Sequence, residues 1–162
     1  MKNEQISGEK LFFRYAYPCG EGRYHRGLIS VRELDELHHL VNTDGEPTRD
    51  LLQGCFAEAF PAFCAFFGID PSDDRPWPVE VVRQFWRQHT GRVPSCAVMF
   101  GKIEKIIPSL SFICLVNFAG KTKPVFNRYR LPVAVGDTVF FHQHIIAEVE
   151  KANFKTNLER PA

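Results

Sequence analysis

Residues 96–107, CAVMFGKIEKII, mark the point at which the residue pattern of this chain changes to that of β-strands. Three further runs of strand length follow, rich in β-branched and aromatic residues: SFICLVNF (111–118), KPVFNRYRL (123–131) and TVFFHQHIIAEV (138–149). Short turn sequences, such as Val-Gly-Asp at 135–137, separate these runs. Four or five short strands within about sixty residues predict a small OB-like β-barrel.

The chain before this point has the pattern of helices. Ser30 and Glu33 form an S-x-x-E capping box, and leucines follow at helical spacing. The segment 48–68, TRDLLQGCFAEAFPAFCAFFG, has a wide apolar face typical of a second helix, which Pro61 is expected to kink or split. A third helix is predicted from Pro78, because proline suits a first helical position.

Together the two patterns predict an α+β protein in three parts: an α-helical module (1–91), the small OB-like barrel (92–150) and a polar tail (151–162). Charge differs along the chain, because residues 1–91 hold 10 Lys/Arg and 14 Asp/Glu whereas residues 92–162 hold 10 and 5. The basic second half suits an acidic protein partner or a nucleic acid backbone.

The composition argues against membrane and secreted classes. The 162 residues contain no run of 18 apolar residues, and the amino end, MKNEQISGEK, lacks the apolar core of a signal peptide. We therefore expect a cytoplasmic protein without a membrane segment. The five cysteines are odd in number, and none has the spacing of a zinc knuckle or a redox pair, which favours reduced thiols.

Three segments of the second half resemble, in order and spacing, the HypC/HupF family of hydrogenase maturation chaperones. They are CAVMFGKIEKI (96–106), LVNFAGKTKPV (115–125) and VAVGDTVFFHQHIIAEVEK (133–151). Proteins of this family begin with a Met-Cys-hydrophobic stretch and a Gly-Lys-Val, and close on a Gly-Asp-aliphatic-His segment followed by an acidic residue. The resemblance covers residues 96–150, about a third of the chain.

The resemblance implies a barrel that binds an iron fragment carrying cyanide and carbon monoxide, and delivers it to a hydrogenase large-subunit precursor or a maturation scaffold protein. In that family a cysteine is the essential ligand and a histidine near the end lies close to it, which assigns these roles to Cys96 and His142. Low-spin iron with strong-field diatomic ligands prefers a soft thiolate and accepts an imidazole. His144 stands where the family usually has a small residue, and it either narrows the site or adds a ligand.

Cys96 departs from the family in its position. The family's cysteine lies next to the start methionine, whereas Cys96 follows 95 residues and has an ordinary amide nitrogen. A role that needs a free terminal amine would not be performed here in the same way. The first half has a fainter resemblance, through RYAYP (14–18), FFGIDP (66–71) and VVRQFW (81–86), to a bacterial family of unknown function. This second resemblance implies architecture and no activity.

Each candidate ligand also has a purely structural interpretation. An unpaired cysteine such as Cys96 is commonly a small buried hydrophobe. His142 is equally interpreted as a strand residue whose ring satisfies a backbone carbonyl. Strand alternation places Phe140, His142 and His144 on one face, where the two histidines would converge on one ligand.

The run KTKPVFNRYR (121–130) supports a competing function. It interleaves four cations with two aromatic residues: Lys121, Lys123, Arg128 and Arg130 with Phe126 and Tyr129. Basic and aromatic side chains on a small barrel bind single-stranded nucleic acid, and the same patch would bind an acidic protein. A solvated hairpin whose charges protect an edge strand explains the pattern as well, and we favour it over nucleic acid binding.

Three further features bear on function. The phenylalanine stripe at 56–67 forms either a core or a surface for a homodimer. Cys19 and His25 are interpreted as incidental residues of a Gly-rich turn, since no second pair completes a four-ligand metal set. No orienting acid, oxyanion-hole motif or phosphate loop accompanies the candidate cysteine and histidine, so we do not expect an enzyme.

The sequence therefore predicts a binding and transfer protein of the hydrogenase-maturation type. Cys96 is its thiolate ligand or partner-docking thiol, His142 is the neighbour of that thiol, and the helical module recognises the client. The alternative is an adaptor without a metal, which binds nucleic acid or an acidic protein through residues 121–130.

Overall fold

The computed structural model describes residues 5–88, 97–110 and 112–152. Its contacts divide the chain into a helical unit, Met1–Val98, and a sheet unit, Met99–Ala162. The described part of the helical unit contains six α-helices: α1 Gly8–Ala16, α2 Pro18–His25, α3 Val31–Thr43, α4 Arg49–Cys55, α5 Ala59–Phe67 and α6 Val79–Arg87. Five strands follow: β1 Val98–Ile106, β2 Ile113–Phe118, β3 Lys121–Phe126, β4 Thr138–His142 and β5 Ile145–Glu150. This layout confirms the predicted α+β class.

The helix signals in the sequence act as predicted at two sites. The Ser30 hydroxyl accepts a hydrogen bond from the Glu33 N–H, and the Glu33 carboxylate accepts one of 2.7 Å from the Ser30 N–H, so the capping box before α3 is confirmed. The third predicted helix, α6, begins directly after Pro78. None of the helices in the described part of the chain is long and apolar enough to cross a membrane.

Two expectations for the helical unit are wrong. Residues 17–25, expected to form a Gly-rich turn, contain the whole of α2, which begins with Pro18 at a first helical position. The break in the segment 48–68 lies at Phe56, between α4 and α5, and not at Pro61. Pro61 is tolerated because it is the third residue of α5, where a backbone N–H has no partner within the helix.

An aromatic cluster forms the core of the helical unit. The Phe12 ring of α1 lies 5.6 Å from Phe63, 5.3 Å from Trp77 and 5.2 Å from Trp86, measured between ring centroids. All three pairs meet edge to face, an arrangement that aromatic rings prefer. Most of the predicted phenylalanine stripe lies buried, whereas Phe66 is 45% exposed.

The five strands close on themselves in the order β1-β2-β3-β5-β4. β2 is antiparallel to both β1 and β3, and β4 is antiparallel to β5. β3 meets β5 in parallel through the pair Phe126↔Ile145. The five strands therefore form a small closed sheet, and its likeness to an OB fold stays a prediction.

Mostly aliphatic side chains fill the interior of the closed sheet. The buried residues of this core are Ile103, Cys114, Val116, Val125, Val139, Phe141 and Ile146. β-Branched residues suit the pleated wall of a small sheet, where alternate side chains of each strand point inward. Gly101 permits the close pairing of β1 with β2, because a Cβ atom there would lie 2.2 Å from the Asn117 carbonyl oxygen.

The run at 138–149 forms two strands and not one. His142 pairs with Ile145, so Gln143 and His144 form a two-residue turn, with φ angles of 50° and 79°. Turns of this kind favour glycine and asparagine, and Gln-His carries neither signal. The sequence alone therefore gave no reason to divide the run.

Candidate metal and partner-binding sites on the closed sheet

His142 is the last residue of β4, and its side chain is fully buried, at 0% exposure. Alternation along β4 directs Val139 and Phe141 into the core, so His142 points to the opposite, outer side. Phe140 shares that outer side, and its ring lies 5.8 Å from the ring of Phe100, which is 63% exposed. The imidazole of His142 is therefore shielded from water.

The direction of β1 determines which chain end approaches His142. Two backbone hydrogen bonds of 2.9 Å join Ile103 to residues 136–137, just before β4. The ring contact between Phe100 and Phe140 joins a residue three positions before Ile103 to a residue three positions after Asp137. Because moving towards the start of β1 means moving towards the end of β4, the two strands are antiparallel. The amino end of β1, at Val98, consequently lies at the end of β4 that carries His142. Cys96, the predicted thiolate ligand, precedes Val98 by two residues and lies outside the described residues.

His144 is exposed and lies in the turn between β4 and β5. The prediction that His142 and His144 share one strand face is wrong, because the chain reverses direction between them. The His144 carbonyl oxygen instead accepts a hydrogen bond of 2.6 Å from the Phe126 N–H. This contact joins the turn to the end of β3.

Asp137 has a structural role that the sequence reasoning missed. Its buried carboxylate accepts hydrogen bonds from the N–H of Ala134 (2.8 Å), the N–H of Ala152 (3.0 Å) and the Lys151 ammonium (3.0 Å). Burial alone raises the pKa of this carboxyl, but the three donors outweigh it, and the pKa lies below its usual value. The Gly-Asp step before β4 therefore holds the start of β4 to the end of β5.

The basic run at 121–130 is divided between two faces of β3. Lys121 and Lys123 share a face with the core residue Val125, whereas Phe126 lies on the outer face. The Lys123 ammonium lies 5.0 Å from the centroid of the Phe118 ring, a cation–π contact. The two lysines and Phe126 therefore do not form the continuous surface that their interleaving suggests.

β3 also has an edge that is largely open. All six of its residues pair with β2, whereas the described pairing with β5 is the single pair Phe126↔Ile145. Lysine and proline, here Lys121, Lys123 and Pro124, commonly protect such an edge from pairing with another chain. This observation supports the structural interpretation of the two lysines.

The remaining cations of the run lie in a loop that two hydrogen bonds of the Asn127 side chain hold together. The buried Asn127 amide donates to the Leu131 carbonyl oxygen at 2.8 Å and accepts from the Leu131 N–H at 2.9 Å. Between these residues, Arg128 and Arg130 are exposed, whereas Tyr129 is only 6% exposed. The loop thus presents two guanidinium groups to solvent, and its tyrosine ring is not available for stacking.

Cys19, His25 and His38 of the helical unit make contacts that are typical of a folded surface. Cys19 and His25 both lie on α2, Cys19 half-buried and His25 exposed. The His38 imidazole lies 3.5 Å from the Glu21 carboxylate at the surface. Within residues 5–88, 97–110 and 112–152, no three His, Cys, Asp or Glu side chains come together as a metal site would require.

Comparisons of the chain with protein-family models, with curated proteins and with solved structures found no match. The resemblance to the hydrogenase maturation chaperones therefore depends on the three sequence segments, and it stays a prediction.

Proposed function

We propose that this protein is a carrier of the hydrogenase-maturation type, which binds an iron fragment and transfers it to a client. The Cys96 thiolate is the primary ligand of the iron, and His142 is its neighbour in the site. The client is a hydrogenase large-subunit precursor or a maturation scaffold protein, and the work is done in the cytoplasm. The chain acts by binding and release, without catalysis of its own.

The antiparallel pairing of β1 with β4 carries this proposal. It brings the amino end of β1 to the end of β4 that bears His142, and Cys96 precedes that amino end by two residues. The strands also coincide with the segments of the family resemblance: the first segment forms β1, the second β2 and β3, and the third β4 and β5.

The chemistry of the two ligands suits transfer. A thiolate is a soft ligand that binds low-spin iron and exchanges readily, as a carrier requires. The burial of His142 keeps water away from a bound fragment on that side. Transfer then needs a contact with the client that uncovers the site.

We assign recognition of the client to the helical unit. Among the residues that the structure describes in this unit, the exposed large apolar side chains are Tyr24, Leu28, Val31 and Phe66. A homodimer through the phenylalanine stripe would have little apolar surface to bury, because most of the stripe already lies in the core of the unit.

The decisive experiment is infrared spectroscopy with iron analysis on protein purified without oxygen from its own host. Cyanide and carbon monoxide bands on stoichiometric iron are expected for the unchanged chain and are expected to vanish in Cys96→Ala. Cys19→Ala is the matched control, because Cys19 is a half-buried cysteine on α2 that the proposal does not use, and it should keep both bands and iron. Protein without iron or bands, from a host that makes hydrogenase, would refute the carrier.

His142→Gln tests the second ligand position. The expected result is a shift or loss of the infrared bands in a protein that still unfolds cooperatively on heating. The thermal scan is needed because His142 is buried, and a variant that does not fold reports nothing about iron. Folded His142→Gln protein with unchanged bands and full iron would remove His142 from the site and leave Cys96 in place.

A further inference from the structure

The outer side of β2 and β3 carries exposed apolar residues that the core of the sheet does not use. Phe112, directly before β2, and Phe126, the last residue of β3, are 44% and 37% exposed. Leu115 and Pro124, which pair across the two strands, continue this surface. We call these four residues the outer aromatic face. A contiguous exposed apolar surface on a small domain commonly marks a binding site.

The two rings of this face are nearly parallel. The centroids of Phe112 and Phe126 lie 6.4 Å apart, and the ring planes are 20° from parallel. Backbone hydrogen bonds of 2.6 Å hold both residues, from the Asn127 N–H to the Phe112 carbonyl oxygen and from the Phe126 N–H to the His144 carbonyl oxygen. The β1–β2 loop, the β4–β5 turn and the end of β3 therefore meet at the ring pair. Half-exposed rings in this arrangement offer flat surfaces on which nucleobases stack.

Cations lie beside the rings on the same outer side of the sheet. Lys105 pairs with Leu115 of the outer aromatic face. Lys102 pairs with Asn117, which is the next outward residue of β2 and lies about 7 Å from Leu115 along the strand. Arg128 follows Phe126 in the loop after β3. Within the part of the chain that the structure describes, these three side chains form no ion pair. Their charges are therefore available to a ligand.

One acid, Glu104, lies between Lys102 and Lys105 in the sequence, and its charge offsets one of the three positive charges. The Glu104 carboxylate accepts hydrogen bonds of 2.9 Å from the Asn117 amide and of 2.9 Å from the Thr122 hydroxyl. These two bonds hold the pKa of Glu104 below its usual value. The next acidic residue in the sequence is Asp137, whose buried carboxylate is already bonded within the sheet.

We propose that the outer aromatic face binds single-stranded nucleic acid. Bases stack on Phe112 and Phe126, and the phosphates lie near Lys102, Lys105 and Arg128. Strands 2 and 3 and the loops between strands 1–2 and 4–5 are the places where OB-like barrels bind oligonucleotides. Here Phe112 lies in the loop between strands 1 and 2 and Phe126 ends strand 3, whereas the cations lie on strand 1 and in the loop after strand 3. This activity goes beyond the proposed iron function and uses neither proposed iron ligand.

Other occupants would use only part of this surface. A second copy placed face to face would bring three cations and one acid of each copy together, which leaves a net positive charge on both sides, and like charges repel. An acidic peptide would pair with the cations but would offer no row of flat rings to Phe112 and Phe126. Single-stranded nucleic acid satisfies the charges and the rings together.

The geometry also separates the cations that bind from those that do not. Lys121 and Lys123 lie on the other face of β3, so they supply only long-range attraction. Replacing them removes as much charge as replacing Lys102 and Lys105. The two pairs are therefore matched, and they test position independently of net charge.

The experiment measures the fluorescence anisotropy of labelled oligothymidylate, about 12 nucleotides long, with the full chain at about 50 mM salt. Phe112→Ala/Phe126→Ala should raise Kd at least about tenfold. Phe112→Leu/Phe126→Leu should raise Kd by nearly as much, because a leucine side chain keeps the apolar contact but cannot stack on a base. Circular dichroism confirms that each variant is folded.

The charge variants complete the test. Lys102→Ala/Lys105→Ala should reduce the slope of log K against log salt by about 1.4, since each lost phosphate contact contributes about 0.7 on a single strand. Lys121→Ala/Lys123→Ala should leave that slope unchanged. No binding up to about 100 µM chain, equal weakening by both lysine pairs, or equal competition by polyglutamate would each overturn the proposal. The last result would assign the face to an acidic protein.

Discussion

The two units of this chain use phenylalanine in opposite ways. In the helical unit, Phe12 and Phe63 are 0% exposed and lie in an aromatic core. In the closed sheet, Phe100, Phe112 and Phe126 are 63%, 44% and 37% exposed, and mostly aliphatic residues fill the core. Phenylalanine therefore builds most of the core of one unit, whereas in the described part of the other only Phe141 is buried and three rings are exposed.

The difference has a geometric cause. Short helices that cross one another leave irregular spaces, which large rings fill well. A small closed sheet encloses a narrow interior, which branched aliphatic side chains fill. Rings that do not fit inside remain on its surface. Substitutions in the two units should consequently differ in what they change.

The largest effect is expected in the helical core. Phe63→Ala should destabilise the helical unit by about 3–5 kcal/mol, because it leaves a cavity among packed rings. Chemical denaturation followed by tryptophan fluorescence measures this, since both tryptophans, Trp77 and Trp86, lie in that unit. Phe66→Ala, on the same helix but half-exposed, is the control and should cost less than about 1 kcal/mol. Equal losses would contradict the assignment of the core.

The next effect concerns the packing of β1 against β2. Gly101→Ala should destabilise the sheet unit by about 3 kcal/mol, because the new methyl group would meet a carbonyl oxygen of β2. Amide hydrogen exchange of β1 and β2 measures the loss. Gly22→Ala provides the contrast in the helical unit: its site on α2 is open, and the change should be neutral or stabilising by roughly 0.5–1 kcal/mol.

A smaller effect is expected at Asp137. Asp137→Asn should cost about 2 kcal/mol at neutral pH, because the amide cannot accept from all three donors and loses the charge that pairs with Lys151. Hydrogen exchange at β4 and β5 reports the loss. Asp74→Asn is a matched change at an exposed carboxyl and should leave the free energy of unfolding unchanged. A silent Asp137→Asn would show that the carboxylate does not hold the two strands.

The same carboxyl predicts how stability depends on pH. Its pKa is lowered in the folded chain, so its contribution is complete above the unfolded value, about 3.9, and is lost as pH falls through the folded value. Unfolding of the sheet unit between about pH 5 and 2 should therefore be less steep in Asp137→Asn than in the unchanged chain. Identical curves would assign the acid sensitivity to other carboxyls.

The smallest effect on stability is expected on the outer aromatic face. Phe112→Ala should change the unfolding free energy by no more than about 0.5 kcal/mol, because the ring is not part of the core of the sheet. Thermal unfolding of the full chain measures this. A loss near that of Phe63→Ala would remove the contrast between the units and make the face a structural element.

Local signals in the sequence predicted much of this fold. The Ser30–Glu33 capping box and Pro78 each act on a few neighbouring backbone groups, and both helix starts are confirmed. The α+β class is confirmed for a similar reason, because hydrophobic periodicity reports local geometry. The local patterns were less informative for α2, where Gly20 and Gly22 suggested a turn although the backbone is helical.

The candidate site was less predictable, because it depends on contacts between distant parts of the sequence. The turn at Gln143 and His144 has no sequence signal, so His144 was placed on the wrong surface. The role of Asp137 requires Ala152, which lies fifteen residues away and becomes a neighbour only when β4 and β5 pair. The ring pair of Phe112 and Phe126 arises in the same way from the pairing of β2 with β3.

The sequence by itself determined that helices precede strands, the basic character of the second half and the residue types available for binding. It did so because propensity, capping and charge are properties of the chain within a few residues. Only the tertiary structure decided that Lys121 and Phe126 lie on opposite faces, that His142 is covered and that Phe112 stacks on Phe126. Strand register decides these relations, because a shift of one residue exchanges every inward side chain for an outward one.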